Sequence, residues 1–411
     1  MFVIWRHRKE HPVLFPITLG FSMLSFGFGH WIGRIPETKH LLHLSESDIG
    51  LCFFGMASGA FLGAQIASGI CEKWKPSLVI SGSCWLLSLG ILLIPFAKNQ
   101  WMLTSILFFM GAANSWLNVS INAAASQMET KLKNPILATC HGMYSLGGFL
   151  GIISSGIFAT AQIPLTVHLP IIGILMAIYV AFAYKYFDVI QPLQKREAHK
   201  KFNLPEPWLL KLMVIGLIVM VCEGAVTDWS TLYLRDEMKV SVMLSTFGYA
   251  GFSISMAGGR FLGDYVRKYY QPIILVRYGI LIGAGGLLVA ANLPFTVGII
   301  SGFSLTGIGF SIIIPLLFVL SAMQNPDNPT IGISGIATSG VIGFLIGPAV
   351  IGMVGEVFSL SVAFNGLGIL ALFAAYVKND PSRQNLRITH CRNSFSLGRC
   401  HTFLTHGESS H

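Results

Sequence analysis

Apolar residues arrive along this chain in long unbroken runs separated by short polar breaks. Neither the two-residue alternation of a half-buried strand nor the narrow stripe of a surface helix dominates. A run of about 20 apolar residues, wound as a helix, crosses the hydrocarbon of a bilayer. The runs predict twelve spans, at 13–33, 49–70, 77–97, 101–126, 136–159, 166–187, 209–233, 244–265, 272–292, 296–320, 331–355 and 359–377. Composition agrees: 53% of the 411 residues are hydrophobic and only 11% charged, against about 25% charged in a soluble domain. Mean hydropathy is +0.66. The 44 glycines suit helices packed closely in lipid, where small residues let backbones approach.

A net charge of +9 would suit nucleic acid or a membrane surface, and its placement decides. With both termini on one side, every Lys and Arg except Arg34, Lys39, Lys98, Arg235 and Lys239 falls on that side or near it. This is the positive-inside pattern, so that side is predicted to be the cytoplasm, with lipid and no nucleic acid as the partner. The basic start Arg6-His7-Arg8-Lys9 reads as the flank of an uncleaved first helix. Seven cysteines are scattered without paired spacing, and most lie in apolar runs. The tail from Lys378 is polar and basic and reads as disordered. Its His390-Cys391 and Cys400-His401 pairs lack finger spacing, so no metal and no cofactor is expected.

The longest internal polar stretch, 188–208, follows six spans and precedes six. It predicts an N-terminal bundle over 1–187, a cytoplasmic linker over 188–208, a C-terminal bundle over 209–377 and a tail over 378–411. The halves resemble each other: His30-Trp31 and Gly50 match Asp228-Trp229 and Gly248 at one common offset. A parallel repeat of six spans is a transporter architecture with the substrate between halves.

Glu223 stands out because a carboxylate deep in an apolar run is costly and marks a functional site by default. It can exchange a proton or pair with another helix. Asp228, five residues on, faces another way and suits a gate or a helix-end contact. Asn114, Asn118 and Asn122 share one face of span four. Their amides suit the hydroxyls of a substrate or hydrogen bonds between helices. His141 suits titration near neutral pH or helix packing. His30, Trp31 and Trp229 near the outer ends of spans one and seven line a mouth or mark the membrane interface. Pro315 and Pro348 invite kinks in spans ten and eleven. No phosphate-cradling loop and no nucleophile–base order is present, so an enzyme is not expected.

Gly258-Gly259-Arg260-Phe261-Leu262-Gly263-Asp264-Tyr265-Val266-Arg267-Lys268 resembles the loop motif of the major facilitator superfamily. Asn118-Val119-Ser120-Ile121-Asn122 with Glu129, then His141-Gly142-Met143-Tyr144-Ser145-Leu146-Gly147-Gly148, is similar to the YbjJ-type bacterial inner-membrane group. That group is related to fucose-permease-like sugar:proton symporters. The resemblance covers about 15–377. It implies an all-α membrane protein of twelve helices in two pseudo-symmetric bundles, with spans one, four, seven and ten lining a cavity. Asn118 stands where that group usually has Asp. The loop motif implies gating roles for Gly259, Arg260, Gly263, Asp264 and Arg267, with Arg260 and Asp264 paired as a cytoplasmic latch. The expected activity is proton-coupled transport of a small, sugar-like solute by a monomer in the bacterial inner membrane, with Glu223, Asp228 and His141 handling the proton. Drug or metabolite export, and a non-transporting sensor or scaffold, stay open.

Overall fold

The computed structural model describes residues 10–132, 136–191, 207–267, 269–324 and 329–376. Among them are twelve long helices and no strand. In the first half these are α1 (Leu14–Ile32), α2 (Glu46–Lys73), α3 (Pro76–Leu93), α4 (Gln100–Leu132), α5 (Leu137–Thr160) and α6 (Leu165–Ala183). In the second they are α7 (Pro207–Leu232), α8 (Val242–Val266), α9 (Pro272–Asn292), α10 (Thr296–Gln324), α11 (Pro329–Val357) and α12 (Leu360–Ala375). Each predicted span corresponds to one of these helices to within about six residues at its ends, with span ten divided into two segments. Most of the linker and tail read from the sequence, including both His-Cys pairs, lie outside the described residues.

Nine of the helices are long and apolar enough on their own to cross a membrane, and α1, α8 and α12 are not among them. α12 is short, at 16 residues. α1 and α8 carry polar positions, and these face neighbouring helices: Thr18, Ser22, Ser25 and His30, and Ser245, Thr246 and Ser253, are buried. α10 is broken into Thr296–Phe310 and Ile313–Gln324. The break falls at Ser311, four residues before Pro315, whose ring clashes with that carbonyl and whose nitrogen has no proton to donate to it.

Side chains cap several of the helix starts. Ser45 and Asp48 form a reciprocal capping box at the start of α2, at 3.2 and 3.0 Å. The Glu129 carboxylate accepts from the Ile136 and Leu137 amides at 2.7 and 3.0 Å and caps α5. Glu237 does the same for α12, through Leu360 N at 2.8 Å and Ser361 Oγ at 2.7 Å.

The packing is a repeat. α1 packs on α5, α2 on α4, and α3 on both α4 and α6. Exchange each helix for the one six later and the second half follows: α7 on α11, α8 on α10, and α9 on α10 and α12. The halves meet along α2–α11 and α5–α8, two contacts that the same exchange interconverts. Glycine permits these approaches. A Cβ at Gly29 of α1 would lie 2.7 Å from the Gly148 carbonyl of α5.

Candidate functional site

A cavity of about 580 Å³ lies between the halves. Eight helices line it, four from each half; α3, α6, α9 and α12 contribute nothing to its wall. α7 presents Met220, Glu223 and Thr227 as one stripe, with Asp228 on the flank. The expectation that Asp228 faces elsewhere is therefore corrected: the cavity wraps far enough around α7 for both acids to reach it. Glu223 is buried at 8% exposure. No described side chain hydrogen-bonds its carboxylate, and the charge acting on it is the Arg260 guanidinium.

Arg260 takes a place that the loop motif did not imply. The loop motif implied a latch with Asp264 away from the substrate. Arg260 instead lines the cavity, and its Nη1 donates to Ser145 Oγ of α5 at 3.5 Å. It sits six residues before the end of α8, where the helix still faces the cavity. The Asp264 side chain lies outside the described ones. Gly259 and Gly263 have a packing role: they seat α8 on the break in α10, against Ser311 and Ile312. Arg267 is exposed just beyond α8.

The asparagine row divides. Asn114 and Asn118 line the cavity, and Asn122 does not. Asn122 Nδ2 donates to Asn118 Oδ1 at 2.6 Å and to Asn118 O at 2.9 Å. It orients the Asn118 amide and takes no part in the wall. Substituting Asn122 by Ala is therefore expected to weaken substrate binding less than Asn118→Ala. The direct loss should be about fivefold to tenfold in Kd, on the scale of one hydrogen bond, measured by titration of the purified variants.

The two tryptophans also part. Trp31 lines the cavity at 1% exposure. Trp229 does not; it is fully buried, edge-on to Phe53 with centroids 5.6 Å apart. Neither is an interfacial belt residue. Burial between the halves was invisible from their place at the helix ends.

His30 is likewise absent from the cavity wall and fully buried. Arg34 Nε donates to His168 Nδ1 at 2.9 Å, so a neutral His168 carries its proton on Nε2. That proton faces His30 Nδ1 at 2.7 Å, and His30 Nε2 is left to donate to Ser154 Oγ at 3.0 Å. Arg34 also binds Glu37 and the Ile163 carbonyl, at 2.7 Å. The chain is satisfied throughout and joins α1 to α5 and α6. His141 is exposed, sits edge-on to Phe21 at 5.3 Å, and is absent from the cavity wall.

Tyr144, Ser145, Tyr249 and Ser253 line the wall as well and were missed. Tyr144 and Ser145 stood inside the motif quoted for the resemblance but without a role there, and Tyr249 and Ser253 had only their place in the first half of α8, which packs on the other bundle. α10 contributes Ile314 and Phe318, both apolar.

One end of the cavity is closed. α2 and α11 touch there: a Cβ at Gly50 would lie 2.9 Å from the Pro348 carbonyl, and one at Gly352 2.6 Å from the Glu46 carbonyl. Polar ties reinforce the contact. Lys39, on the short helix Ile35–Leu41, binds Glu46 at 2.6 Å and, across the halves, Asp236 at 3.0 Å. His40 Nε2 meets Asp236 at 2.9 Å, and the Ser47 amide donates to Glu356 at 3.0 Å. A π-helical turn, Tyr233–Glu237, carries Asp236 to this position. Burial alone would lower the Lys39 pKa, but hydrogen bonds to Glu46 and Asp236 and their charges outweigh it and raise it above 10.5. The sign follows: the contribution of a raised Lys is complete below its ordinary value and is lost only as pH rises through the raised one. The tie therefore holds through the neutral range. Asp236→Asn is expected to weaken the closed end by about 2 kcal/mol, the scale of a charged hydrogen bond. Faster thiol labelling of a cysteine at position 227 from that end would register it.

Comparison with known proteins matches this geometry. Residues 12–330 match the model of the Major Facilitator Superfamily. An uncharacterized MFS-type transporter of Yersinia pestis is 27% identical over 360 residues, covering 87% of this chain and 92% of the relative. Membrane protein MosC of Rhizobium meliloti is 28% identical over 337 residues, 81% of each chain. Among solved structures, a nucleoside transporter, NupG, superposes with a TM-score of 0.71 at 13% identity, covering 87% of this chain and 98% of that one. A bacterial homologue of the human lysosomal transporter Spinster, inward-facing and occupied, gives 0.70 at 14% identity, with 90% and 96% covered. The twelve-helix repeat, the cavity between its halves and the match over most of its length make this chain a multi-pass transporter of the Major Facilitator Superfamily.

Proposed function

We propose that this transporter carries a small, ring-bearing polar solute, sugar- or nucleoside-sized, across the bacterial inner membrane, in symport with a proton exchanged at Glu223. It works as a monomer with both termini in the cytoplasm and the tied end at the outer face. The observation that carries the reading is a buried carboxylate on the wall of a cavity between two halves, without a hydrogen-bonding partner among the described side chains. Such a group is costly when charged. A proton removes the cost, so closure around a protonated Glu223 is easier than around a charged one. Asn114 and Asn118 supply donors and acceptors for hydroxyls. Trp31, Tyr144 and Tyr249 supply flat rings and phenol groups, and a volume of about 580 Å³ lies in the range of small-molecule sites. Solute and proton enter when the α2–α11 contact opens, and leave from the opposite end once it has closed again.

That NupG is a nucleoside transporter favours including nucleosides with sugars and polyols. The resemblance to the YbjJ-type group favours sugars. The test is a thermal-shift screen of purified protein against sugars, polyols, nucleosides and organic acids, followed by uptake of each hit into proteoliposomes. An acid exterior should accelerate uptake of the true substrate. Uptake of every hit at the same rate with and without the gradient would defeat proton coupling.

A second reading has its own observation. Met56, Met220 and Met256 line the cavity beside Phe53, Phe252 and Phe344, and deformable thioethers suit varied apolar ligands. Proton-driven export of amphipathic metabolites or drugs would use that wall. Dye efflux from whole cells, stopped by a protonophore, would favour it over import.

A further inference from the structure

A second opening lies apart from the transport cavity, on the outside of the first half, between α2, α3 and α4. It is a groove of about 650 Å³ walled by Trp74, Trp85, Trp116 and aliphatic side chains of α3. Trp74 and Trp85 are 59% and 49% exposed. The Trp116 indole nitrogen is occupied inward, donating to the Gly63 carbonyl at 3.1 Å, so its ring offers the groove only hydrocarbon. Gly82 leaves its part of the groove open: a Cβ there would meet nothing within 4 Å. Its wall runs along α3 from Leu78 to Leu89, about 16 Å at 1.5 Å per residue. At the Leu78 end the chain turns through Lys73-Trp74-Lys75, with both lysines exposed. Half-buried Glu72 is the acid beside them in the chain.

We infer that this groove binds one acyl chain of an anionic phospholipid, with the headgroup phosphate held between Lys73 and Lys75. Three tryptophans and a row of aliphatic side chains match a hydrocarbon tail lying along α3. Two ammonium groups at one end, on either side of an exposed indole, match an anion at the depth where the tail ends. A neutral lipid would fill the groove without using the lysines, and a zwitterionic one would bring, beside its phosphate, a cation that the two ammonium groups repel. A soluble peptide would leave its backbone groups unsatisfied against an apolar wall. The inference concerns the first half alone and does not depend on the substrate or on proton coupling.

The experiment is native mass spectrometry of the full-length protein released from nanodiscs containing equal phosphatidylglycerol and phosphatidylethanolamine. The wild type should retain phosphatidylglycerol in excess. Lys73→Gln and Lys75→Gln should each cut that excess about fivefold, the attraction one basic side chain contributes near an anionic surface. Gly82→Leu, which fills the groove where space is open, should reduce retention of both lipids while the lysines remain. Lys185→Gln, another exposed basic residue on the first half, should change nothing. No excess in the wild type would overturn the inference, as would an excess that survives both lysine substitutions. An excess that Lys185→Gln removes equally would overturn it too, since general surface charge would then explain the effect.

Discussion

Glu223→Gln is expected to abolish acid-driven accumulation while leaving exchange of solute for solute intact. Glutamine keeps the size and hydrogen-bonding shape of a protonated glutamate but cannot release a proton. One pH unit corresponds to about 1.4 kcal/mol per proton, or about tenfold in solute concentration. Wild-type proteoliposomes under such a gradient should therefore approach about tenfold accumulation for one proton per solute. The variant should stop at equal concentrations on both sides. Counterflow of labelled against unlabelled solute measures the second half of the prediction, because exchange returns the carrier loaded and needs no net proton movement. Accumulation that survives in Glu223→Gln would move the proton site elsewhere on the wall. Asp228, which lines the same cavity, would then be the acid to substitute next.

Gly352→Leu should stop transport altogether without unfolding the protein. Gly352 is where α11 meets α2 at the closed end. A Cβ there would lie 2.6 Å from the Glu46 carbonyl, 3.1 Å from Gly50 Cα and 3.1 Å from the Trp229 ring. Two of these neighbours are backbone, which cannot turn aside as a flexible side chain can. The larger residue is compatible only with a state in which α2 and α11 have separated, so it should hold that end open. Uptake and counterflow should both vanish, and labelling of a cysteine at position 227 from the tied end should become fast and independent of substrate. Normal expression, a sharp melting transition and slow labelling would together contradict the assignment of this contact as a gate. Asp236→Asn loosens the same end by a smaller step, so the two variants should rank in that order.

Much of the architecture was legible beforehand because bilayer physics writes it into composition. A span must be long, apolar and uninterrupted, so helices such as α3 and α9 appear in the sequence as single runs. α10 shows both the reach and the limit of that signal: Pro315 announced a disruption, and the chain breaks at Ser311, where the proline's ring and missing donor act. α1 and α8 were legible as spans but not as helices held between others, since their serines and threonines are satisfied only once neighbours surround them.

The site was legible one residue at a time. Glu223 could be found because an acid within an apolar run is rare and expensive. The asparagine row was visible as a helical face, but a shared face does not say which member reaches the cavity. Asn118 does, and Asn122 spends its amide on Asn118. Arg260 was read from a loop motif as a latch, because linear distance from the helix end cannot show which way a side chain turns. His30 and Trp229 looked accessible near helix ends and are fully buried, by His168 and Arg34 in one case and by Phe53 and the α2–α11 contact in the other.

By itself the sequence determined the number of membrane helices, their division into two repeats and the one acid too deep to be incidental. These follow from local energetics, the cost of bare polar groups in hydrocarbon, which each segment meets on its own. Only the tertiary structure decided which side chains share the cavity, which end is tied shut and which polar residues are occupied by one another. Those depend on how helices from opposite halves approach. The approach is set by small residues such as Gly50 and Gly352, far apart along the chain and in contact only after both bundles have formed.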